Sequence, residues 1–341
     1  MNNSFFYKNY IKNQNVFFCR ADINYSRNQI ILNLIKGLNL KKIKILPYGN
    51  KRKFFNAFFN RKRIINDFFI SIYDSKFIDQ RAYYNTNIKN KFILFFYDYI
   101  NFKFSRYLLA DTKEHFKYWK ELFGKTKADV LVLPVLANNN IYFPEPGRRK
   151  VNKVGELKLL FYGSYIPLQG IDKIIKAINL IKHLNIKVKL IGNGLEFKKI
   201  IDLIKELNLS DIITVNGERV LEQDIAKEIN DSDVIFGIFG NSRKAKSVVP
   251  NKVYQGLACK KCVLTMESLA IREFFDENSM YLVKNNIVSI KNAIQDLYEN
   301  REKIKIYEEN GYKQYNLLYN KTKIKFRRYI KQIEEKLKNG V

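Results

Sequence analysis

Apolar runs alternate with amphipathic segments along the second half of the chain, and several of these runs end at glycine. The runs are rich in β-branched residues, as buried strands are, and the segments between them repeat apolar positions at helical spacing. Strands are expected at 157–162, 186–191, 212–215, 234–238 and 262–265, with helices at 171–183, 196–207, 223–229 and 251–257. This alternation predicts a doubly wound parallel α/β sheet. Ligands of such sheets bind at the carboxyl ends of the strands, so chemistry is expected in the loops that follow them.

The first half alternates less regularly, but its pattern also fits an α/β domain. Strands are expected at 16–19, 42–46, 68–73, 92–96 and 129–133, with helices at 28–38 and 111–123. Prolines and a glycine among polar residues predict a linker at 138–155, and the C-terminal end has the pattern of two polar helices. The expected domains are 1–145, 146–315 and a C-terminal helix, 316–341, that packs back toward the first domain.

The net charge is the outlying feature of the composition. The 341 residues carry a formal net charge of +28, which attracts phosphate groups on nucleotides, nucleic acid or anionic lipid. Compositional drift is the alternative, because Lys, Asn, Ile, Tyr and Phe are frequent throughout, as in chains encoded by A/T-biased genomes. The sequence contains no zinc-finger spacing, RNP-like aromatic motif or clear helix-turn-helix, which argues against a nucleic-acid partner.

The cysteines do not point to a disulfide framework or a metal site. Cys19, Cys259 and Cys262 are few for a chain of this length, and a framework needs more of them. The last two have C-x-x-C spacing, but Cys262 opens an apolar run and no second pair exists. We expect both to be small buried residues rather than a redox or metal pair.

The sequence predicts a cytoplasmic protein and leaves open a surface contact with the inner face of the cytoplasmic membrane. No secretory pattern precedes the first strand, and the longest apolar runs, such as 92–100, are shorter than the roughly 20 residues of a membrane span. The segment 51–63 places six basic residues around four phenylalanines, a composition that suits peripheral contact with an anionic bilayer. A core-packing helix with solvated ends is the alternative.

Two loops of the second half carry the clearest candidate chemistry. In 161–171 a strand ends at Gly163, and Gly170 opens a helix whose unpaired N–H groups suit a pyrophosphate. An ordinary β–α turn is the alternative. In 237–258 a strand ends at Gly240, and Pro250 then starts a helix, where its missing N–H is tolerated. The polar loop between them carries the basic residues Arg243, Lys244 and Lys246.

The first turn of that second helix adds a cation and an amide. Lys252 and the first N–H groups of the helix can face an anion together. Gln255 lies one turn further on, where it can hydrogen-bond a sugar hydroxyl. A solvated basic loop before an amphipathic helix is the alternative. The combination is more specific than the glycine loop alone.

The segments 161–171 and 237–258, together with Ala-Ile-Arg-Glu at 270–273, resemble glycosyltransferase family 4. The resemblance extends over 157–283. The N-terminal half is similar more weakly, through 25–28 and through 110–112 with His115 and Tyr118. The resemblance implies a retaining enzyme of GT-B fold: two Rossmann-like domains whose parallel sheets face a central cleft. The first, 1–145, would bind an acceptor, and the second, 146–315, a nucleotide-sugar.

The chain departs from the pattern of the family at the positions that hold the donor. Many members have an arginine after the first glycine and a lysine before the second, where this chain has Ser164 and Gln169. Members also have two glutamates eight positions apart, where this chain has Ser247 and Gln255. We expect Lys252, with the basic loop before it, to supply the missing positive charge. A degenerate, inactive relative is the alternative.

The resemblance implies transfer of a sugar from a UDP- or GDP-type donor to a glycan or lipid-linked acceptor in cell-surface polysaccharide synthesis. No metal and no further cofactor is expected. A catalytically degenerate sugar-nucleotide-binding protein is the alternative, and a basic nucleic-acid-binding protein is a weaker one. The oligomeric state is left open.

The expected catalytic residues are His115, Asp74 and Lys252. Asp74 follows an expected strand and His115 follows Asp111-Thr112 at a helix start, where an aspartate is also simply a good cap. Gly217, Glu218 and Arg219 are expected to contact the base, a surface ion pair being the alternative for the last two. The remaining expected donor-binding residues are Gly163, Ser164, Gln169, Gly170, Gly192, Gly240, Lys244, Lys246, Ser247, Pro250, Asn251, Lys252 and Gln255.

Overall fold

The computed structural model describes residues 16–18, 22, 25–48, 54, 58–83, 88–147 and 155–339. The chain forms two compact units, one made of Met1–Val135 with Asn320–Val341 and the other of Leu136–Tyr319. Each unit contains a parallel sheet with helices. This confirms the predicted α/β class. Among the described residues, no helix is both long and apolar enough to cross a membrane.

The N-terminal unit is built on a four-stranded parallel sheet in the order β1-β2-β3-β4. The second and third strands are buried at every position. Phe17 adds a single parallel bridge to Ile45 of the first strand. The strands are β1 (Lys44–Leu46), β2 (Ile64–Asp67), β3 (Tyr107–Ala110) and β4 (Asp129–Val132). The helices are α1 (Ser26–Ile35), α2 (Ile72–Asp74), α3 (Ile88–Phe104) and α4 (Lys113–Phe123).

Two strands were predicted wrongly in this unit. The run 92–96 lies inside helix α3, because a short apolar run fits a buried strand and a helix equally well. The strand expected at 68–73 lies earlier, at β2, so Asp74 belongs to helix α2 and does not follow a strand. Strand β2 was missed because it ends in polar residues, which interrupt the apolar pattern of a buried strand. One of them, Asn66, can be buried because it donates hydrogen bonds to Asn101 Oδ1 and Ser105 Oγ.

A buried ion pair lies at the carboxyl end of β2. Arg27 of α1 donates through Nε and Nη2 to the two carboxylate oxygens of Asp67 at 3.1 and 3.0 Å. Its Nη1 also donates to the carbonyl oxygens of Leu133 and Pro134. These bonds satisfy a charge that burial alone would make costly, and the carboxylate raises the pKa of Arg27 despite the opposing effect of burial.

The C-terminal unit contains a six-stranded parallel sheet in the order β10-β9-β8-β5-β6-β7. Its strands are β5 (Leu157–Tyr162), β6 (Ile186–Ile191), β7 (Ile213–Asn216), β8 (Val234–Phe236), β9 (Cys262–Met266) and β10 (Tyr281–Val283). Its helices are α5 (Ile171–Asn179), α6 (Phe197–Glu206), α7 (Glu222–Asp231), α8 (Asn251–Ala258), α9 (Leu269–Arg272) and α10 (Ile287–Glu299). The predicted strands and helices are confirmed, with shifted ends, and β10, α9 and α10 are additional. Cys259 and Cys262 are buried free thiols, as expected.

The two connecting segments at the ends of this unit differ from prediction. The first part of the expected linker, 138–147, is packed: Tyr142 is buried, and Asn230 hydrogen-bonds the backbone of Phe143 and Glu145. The C-terminal end forms one helix, α11 (Arg301–Lys338), rather than two. Gly311 lies within this helix, and a Cβ there would lie 2.5 Å from the carbonyl oxygen of Ser279. The glycine therefore allows a close backbone approach.

Candidate functional site

Glycines bring the carboxyl ends of β5, β6 and β7 into backbone contact. Gly163 N–H donates to Ile191 O at 2.9 Å, and Gly192 N–H donates to Asn216 O at 2.8 Å. Gly192 has φ +132°, and a Cβ there would collide with the carbonyl oxygen of Gly163. Only glycine fits that approach. The predicted loop glycines therefore define one continuous edge of the sheet.

The two loops singled out in the sequence lie against each other. Gly170 is the left-handed N-cap of α5, with φ +64°, and a Cβ there would lie 2.5 Å from the backbone of Phe239. Phe239 N–H donates to Gln169 O at 2.9 Å. A Cβ on Gly240 would in turn collide with the carbonyl oxygen of Leu168. The loops after β5 and β8 are thus fixed as one surface.

Lys252 places a buried amine at this surface. The side chain is 4% exposed, and its Nζ donates to Gln169 Oε1 at 2.6 Å. Nζ also lies 3.6 Å from the ring centroid of Phe161 and 3.6 Å from the position that a Cβ of Gly163 would take. Burial lowers the pKa of Lys252 well below its ordinary value. In the part of the chain that the structure describes, no acidic side chain pairs with Lys252.

Gln255 lies one turn further along α8, and its side chain is hydrogen-bonded by a residue at the end of β5. Its Oε1 accepts a hydrogen bond of 2.8 Å from the hydroxyl of Tyr162, the last residue of β5. Both side chains are buried, and burial raises the pKa of the Tyr162 hydroxyl. The amide is therefore oriented by the protein at the position where many relatives have the second glutamate.

The position of the first family glutamate is occupied by a serine that bonds locally. Ser247 Oγ donates to the carbonyl oxygen of Arg243 at 2.8 Å and accepts from Arg243 Nη1 at 3.1 Å. Ser247 and Lys244 are buried, whereas Lys246 is exposed. Of the basic residues predicted for this loop, the structure therefore gives Lys246 the most open position.

Lys173 is a residue of this surface that the sequence reasoning missed. Its Nζ donates to Phe239 O, Asn241 Oδ1 and Asn285 Oδ1 at 2.7–2.8 Å. Asn285 Nδ2 donates in turn to Gly240 O at 2.8 Å. These bonds fix the start of the basic loop. The available signal was a lysine in the first turn of the helix that Gly170 opens.

The remaining expected donor residues lie around this surface and have different exposures. Ser164 and Asn251 are exposed and Pro250 is half-buried. Gly217 joins the edge because its carbonyl oxygen accepts from Asn193 Nδ2 at 3.1 Å. The next two residues of that loop, Glu218 and Arg219, are exposed.

The catalytic candidates of the N-terminal unit form a separate buried cluster. His115 Nδ1 and Asp111 Oδ1 are 2.7 Å apart, and Asp74 Oδ1 accepts from the Tyr118 hydroxyl at 2.7 Å. The rings of His115 and Tyr118 are parallel, with centroids 6.4 Å apart. His115 Nε2 is buried without a hydrogen-bond partner among the residues that the structure describes. Thr112, not Asp111, caps α4, which leaves Asp111 to orient the imidazole.

The predicted membrane segment 51–63 is described only at residue 54 and from residue 58 onward. Phe54 is buried and packs with Leu46 and Ile64, as the core-packing alternative expects. Phe58–Arg63 forms a 3₁₀ turn, in which Phe59 is 91% exposed. The segment therefore contributes both to the core and to the surface.

Two solved structures share this fold across most of the chain. Sucrose-phosphate synthase from Thermosynechococcus elongatus matches with a TM-score of 0.69 and 13% identity, over 86% of this chain and 74% of that one. HepE from Anabaena, solved with UDP and glucose, matches with a TM-score of 0.63 and 14% identity, over 87% and 77%. The two parallel sheets and these likenesses define the protein as one of GT-B fold.

The match to a known protein family lies in the C-terminal unit. Residues 145–314, about half of the chain, match the family Glycosyl transferases group 1, and this part of the chain belongs to that family. A protein of Methanocaldococcus jannaschii described as an uncharacterized glycosyltransferase is 29% identical over 154 residues, which cover 45% of this chain and 41% of that protein. The chain thus matches less than half the length of this curated relative.

Proposed function

We propose that the protein is a retaining glycosyltransferase of family 4 that transfers a sugar from a UDP- or GDP-type donor to a glycan or lipid-linked acceptor in cell-surface polysaccharide synthesis. One observation carries the proposal: a buried amine, Lys252, lies beside Gly163 at the fused edge of β5 and β8 without an acidic partner among the described residues. That HepE, a neighbour in fold, is solved with UDP and glucose supports a UDP-sugar as the first donor to test.

Lys252 compensates in this proposal for the two family cations that the chain lacks. Transfer leaves negative charge on the departing nucleotide diphosphate, and a fixed cation in a dry site stabilises that charge without reorganising. Gln169 accepts from the Lys252 amine and so fixes its position beside the glycine loop. An arriving diphosphate favours the charged amine, which opposes the effect of burial on its pKa.

The other roles follow from position in the two units. Gln255, oriented by Tyr162, bonds the ribose, and the loop with Gly217 receives the base. In the N-terminal unit, His115 offers a buried ring nitrogen and Asp74 a carboxylate for acceptor contact. The proposed reaction uses no metal, because the basic side chains take the role of neutralising the diphosphate.

A sugar-nucleotide-binding protein without turnover is the second candidate. It is favoured by the local bonding at the family's two glutamate positions: Ser247 bonds Arg243, and Gln255 bonds Tyr162. Neither side chain is a carboxylate. A binding protein would keep the Lys252 site and lose the chemistry.

A thermal-shift screen against UDP-, GDP-, ADP- and CMP-sugars tests donor binding. We expect one class to raise the Tm of the wild type, with a loss of that shift in Lys252→Ala and its retention in the control Lys182→Ala, an exposed lysine of the same unit. Hydrolysis or transfer of the stabilising donor identifies the enzyme, and binding without either identifies the second candidate. Absence of any shift, with tight salt-sensitive nucleic-acid binding, overturns both.

A further inference from the structure

Helix α3 of the N-terminal unit presents a row of apolar side chains to solvent. Ile88, Phe92 and Phe96 follow each other at i+4 spacing, which places them on one face of the helix. Phe92 is 68% and Phe96 is 51% exposed, and Ile88 and Ile93 are exposed as well. Exposed aromatic residues in such a row mark an interaction surface rather than scattered surface residues.

A second group of exposed aromatic side chains lies at the other end of the helix. Phe104 is exposed, and its ring centroid lies 6.1 Å from that of Phe58, which in turn contacts Phe59 at 5.8 Å. Phe59 itself projects almost fully into solvent. Ile100, between the two groups, packs against the core cluster of Leu46, Phe54 and Ile64 and anchors the helix. We call this set of side chains on α3 and the 3₁₀ turn the aromatic face.

Within α3 and the 3₁₀ turn, the exposed charged residues are all basic. Lys89 and Lys91 are exposed on either side of the row, and the 3₁₀ turn ends in Arg61, Lys62 and Arg63. The only acidic residue in either element is Asp98, whose carboxylate is buried and accepts from Ser71 and from the backbone of Tyr73. The exposed parts of these two elements therefore combine apolar side chains with basic ones.

We propose that the aromatic face docks the protein on an anionic lipid bilayer, with the rings entering the interface and the lysines and arginines contacting headgroup phosphates. Charge decides between this occupant and a second copy of the chain. Two chains with a net charge of +28 repel each other, whereas an anionic surface attracts each cation by about 1 kcal/mol. Aromatic side chains of this kind can enter a membrane interface, and the flanking basic side chains can contact its headgroups.

Flotation with vesicles of phosphatidylcholine, with and without phosphatidylglycerol, tests the proposal without any nucleotide-sugar. The full chain is expected to float with the anionic vesicles and to bind the neutral ones at least about tenfold more weakly. Phe92→Ser with Phe96→Ser should weaken anionic binding about tenfold or more. The matched control, Leu221→Ser with Leu269→Ser, removes equally exposed apolar side chains from the other unit and should bind as the wild type does.

A fluorescent variant reports the depth of the face directly. Phe96→Trp adds an exposed indole, while the one native tryptophan, Trp119, is fully buried. Its emission should shift to the blue on anionic vesicles, and that of Leu221→Trp should not. The proposal is overturned if the wild type does not bind anionic vesicles, if the double serine variant binds as well as the wild type, or if that variant instead dissociates an oligomer in light scattering. Because none of these readouts needs a donor, they remain decisive even if the proposed sugar transfer is wrong.

Discussion

Replacing Lys252 with methionine changes stability and donor binding in opposite directions if the amine is a functional cation. The ammonium group is 4% exposed and has Gln169 as its hydrogen-bond partner. Methionine has a similar length and fills the same space over Phe161 without a charge. If Lys252 serves packing, the methionine variant should be less stable than the wild type. If Lys252 serves phosphate binding, the variant should be more stable.

The magnitude follows from the contacts that the amine makes. Exchanging a buried charge for a well-packed apolar side chain stabilises a protein by roughly 1–4 kcal/mol. Losing the hydrogen bond to Gln169 and the contact with the Phe161 ring offsets roughly 1–2 kcal/mol of this. The midpoints of these ranges leave a net gain of about 1 kcal/mol, which corresponds to a Tm increase of about 2–4 °C for a unit of this size.

Differential scanning fluorimetry measures both effects in one experiment. Without nucleotide, Lys252→Met should have a higher Tm than the wild type. The exposed control Lys182→Met should have the same Tm as the wild type. Saturating donor should raise the Tm of the wild type and of the control, whereas the variant should bind about 10- to 100-fold more weakly, the loss expected for one charge-assisted contact.

The pH dependence of the difference has a definite sign. Burial lowers the pKa of Lys252, so the unfolded chain binds the proton more tightly than the folded protein does. The stability of the wild type therefore rises with pH between the lowered pKa of Lys252 in the folded protein and its ordinary value of about 10 in the unfolded chain. The stability advantage of Lys252→Met should shrink as the pH approaches about 10. A variant that is less stable than the wild type near neutral pH, or that keeps the donor shift, would refute the assignment.

Two further predictions concern a glycine and a buried carboxyl group. Gly192→Ala should destabilise the protein by roughly 1–3 kcal/mol more in urea unfolding than Gly155→Ala, because both residues have φ near +130° but only the first Cβ meets backbone, that of Gly163; equal losses would contradict the close approach. Burial raises the pKa of Glu308 to about 7, so its protonated form stabilises the fold below pH 4.5 and this stability is lost as pH rises through 7. Glu308→Gln should therefore raise the Tm at pH 8 and not at pH 4, unlike the exposed control Glu206→Gln, and a rise of equal size at both pH values would contradict it.

Much of the C-terminal unit could be predicted because its strands are short apolar runs, four of which are followed directly by glycine. That signal is local, since a buried parallel strand needs apolar side chains on both faces. The N-terminal unit gave a weaker signal because β2 ends in Asn66 and Asp67, which are buried through partners distant in the chain: Arg27 for Asp67, and Asn101 with Ser105 for Asn66. Pairings of this kind decide burial and cannot be read from hydropathy.

The site divides in the same way between local and distant signals. The glycine loops and Lys252 stand out because each follows a strand or begins a helix. The partner of Lys252 is 83 positions away at Gln169, and Lys173 reaches Asn285 across 112 positions. Such distances depend on the order of strands in the sheet. Sequence reasoning therefore found the cation but not the bonds that fix it.

The pairing of Lys252 with Gln169 leads to a charge-swap test of the proposed site. Many members of family 4, which the sequence resembles, have lysine where this chain has Gln169, and the proposed function takes the cation to have moved across the 2.6 Å hydrogen bond to Lys252. Gln169→Lys alone would place two amines together, and two charges near 4 Å repel by about 4 kcal/mol at a protein surface. That variant should lose stability or a proton, and Lys252→Gln alone should lose donor affinity. The double variant should recover much of both, since one cation again faces one amide. Recovery measured by thermal shift with donor would show that the site needs a single charge at this place. If the double variant were as impaired as the sum of the single ones, Lys252 would act through its own position and not as the displaced family cation.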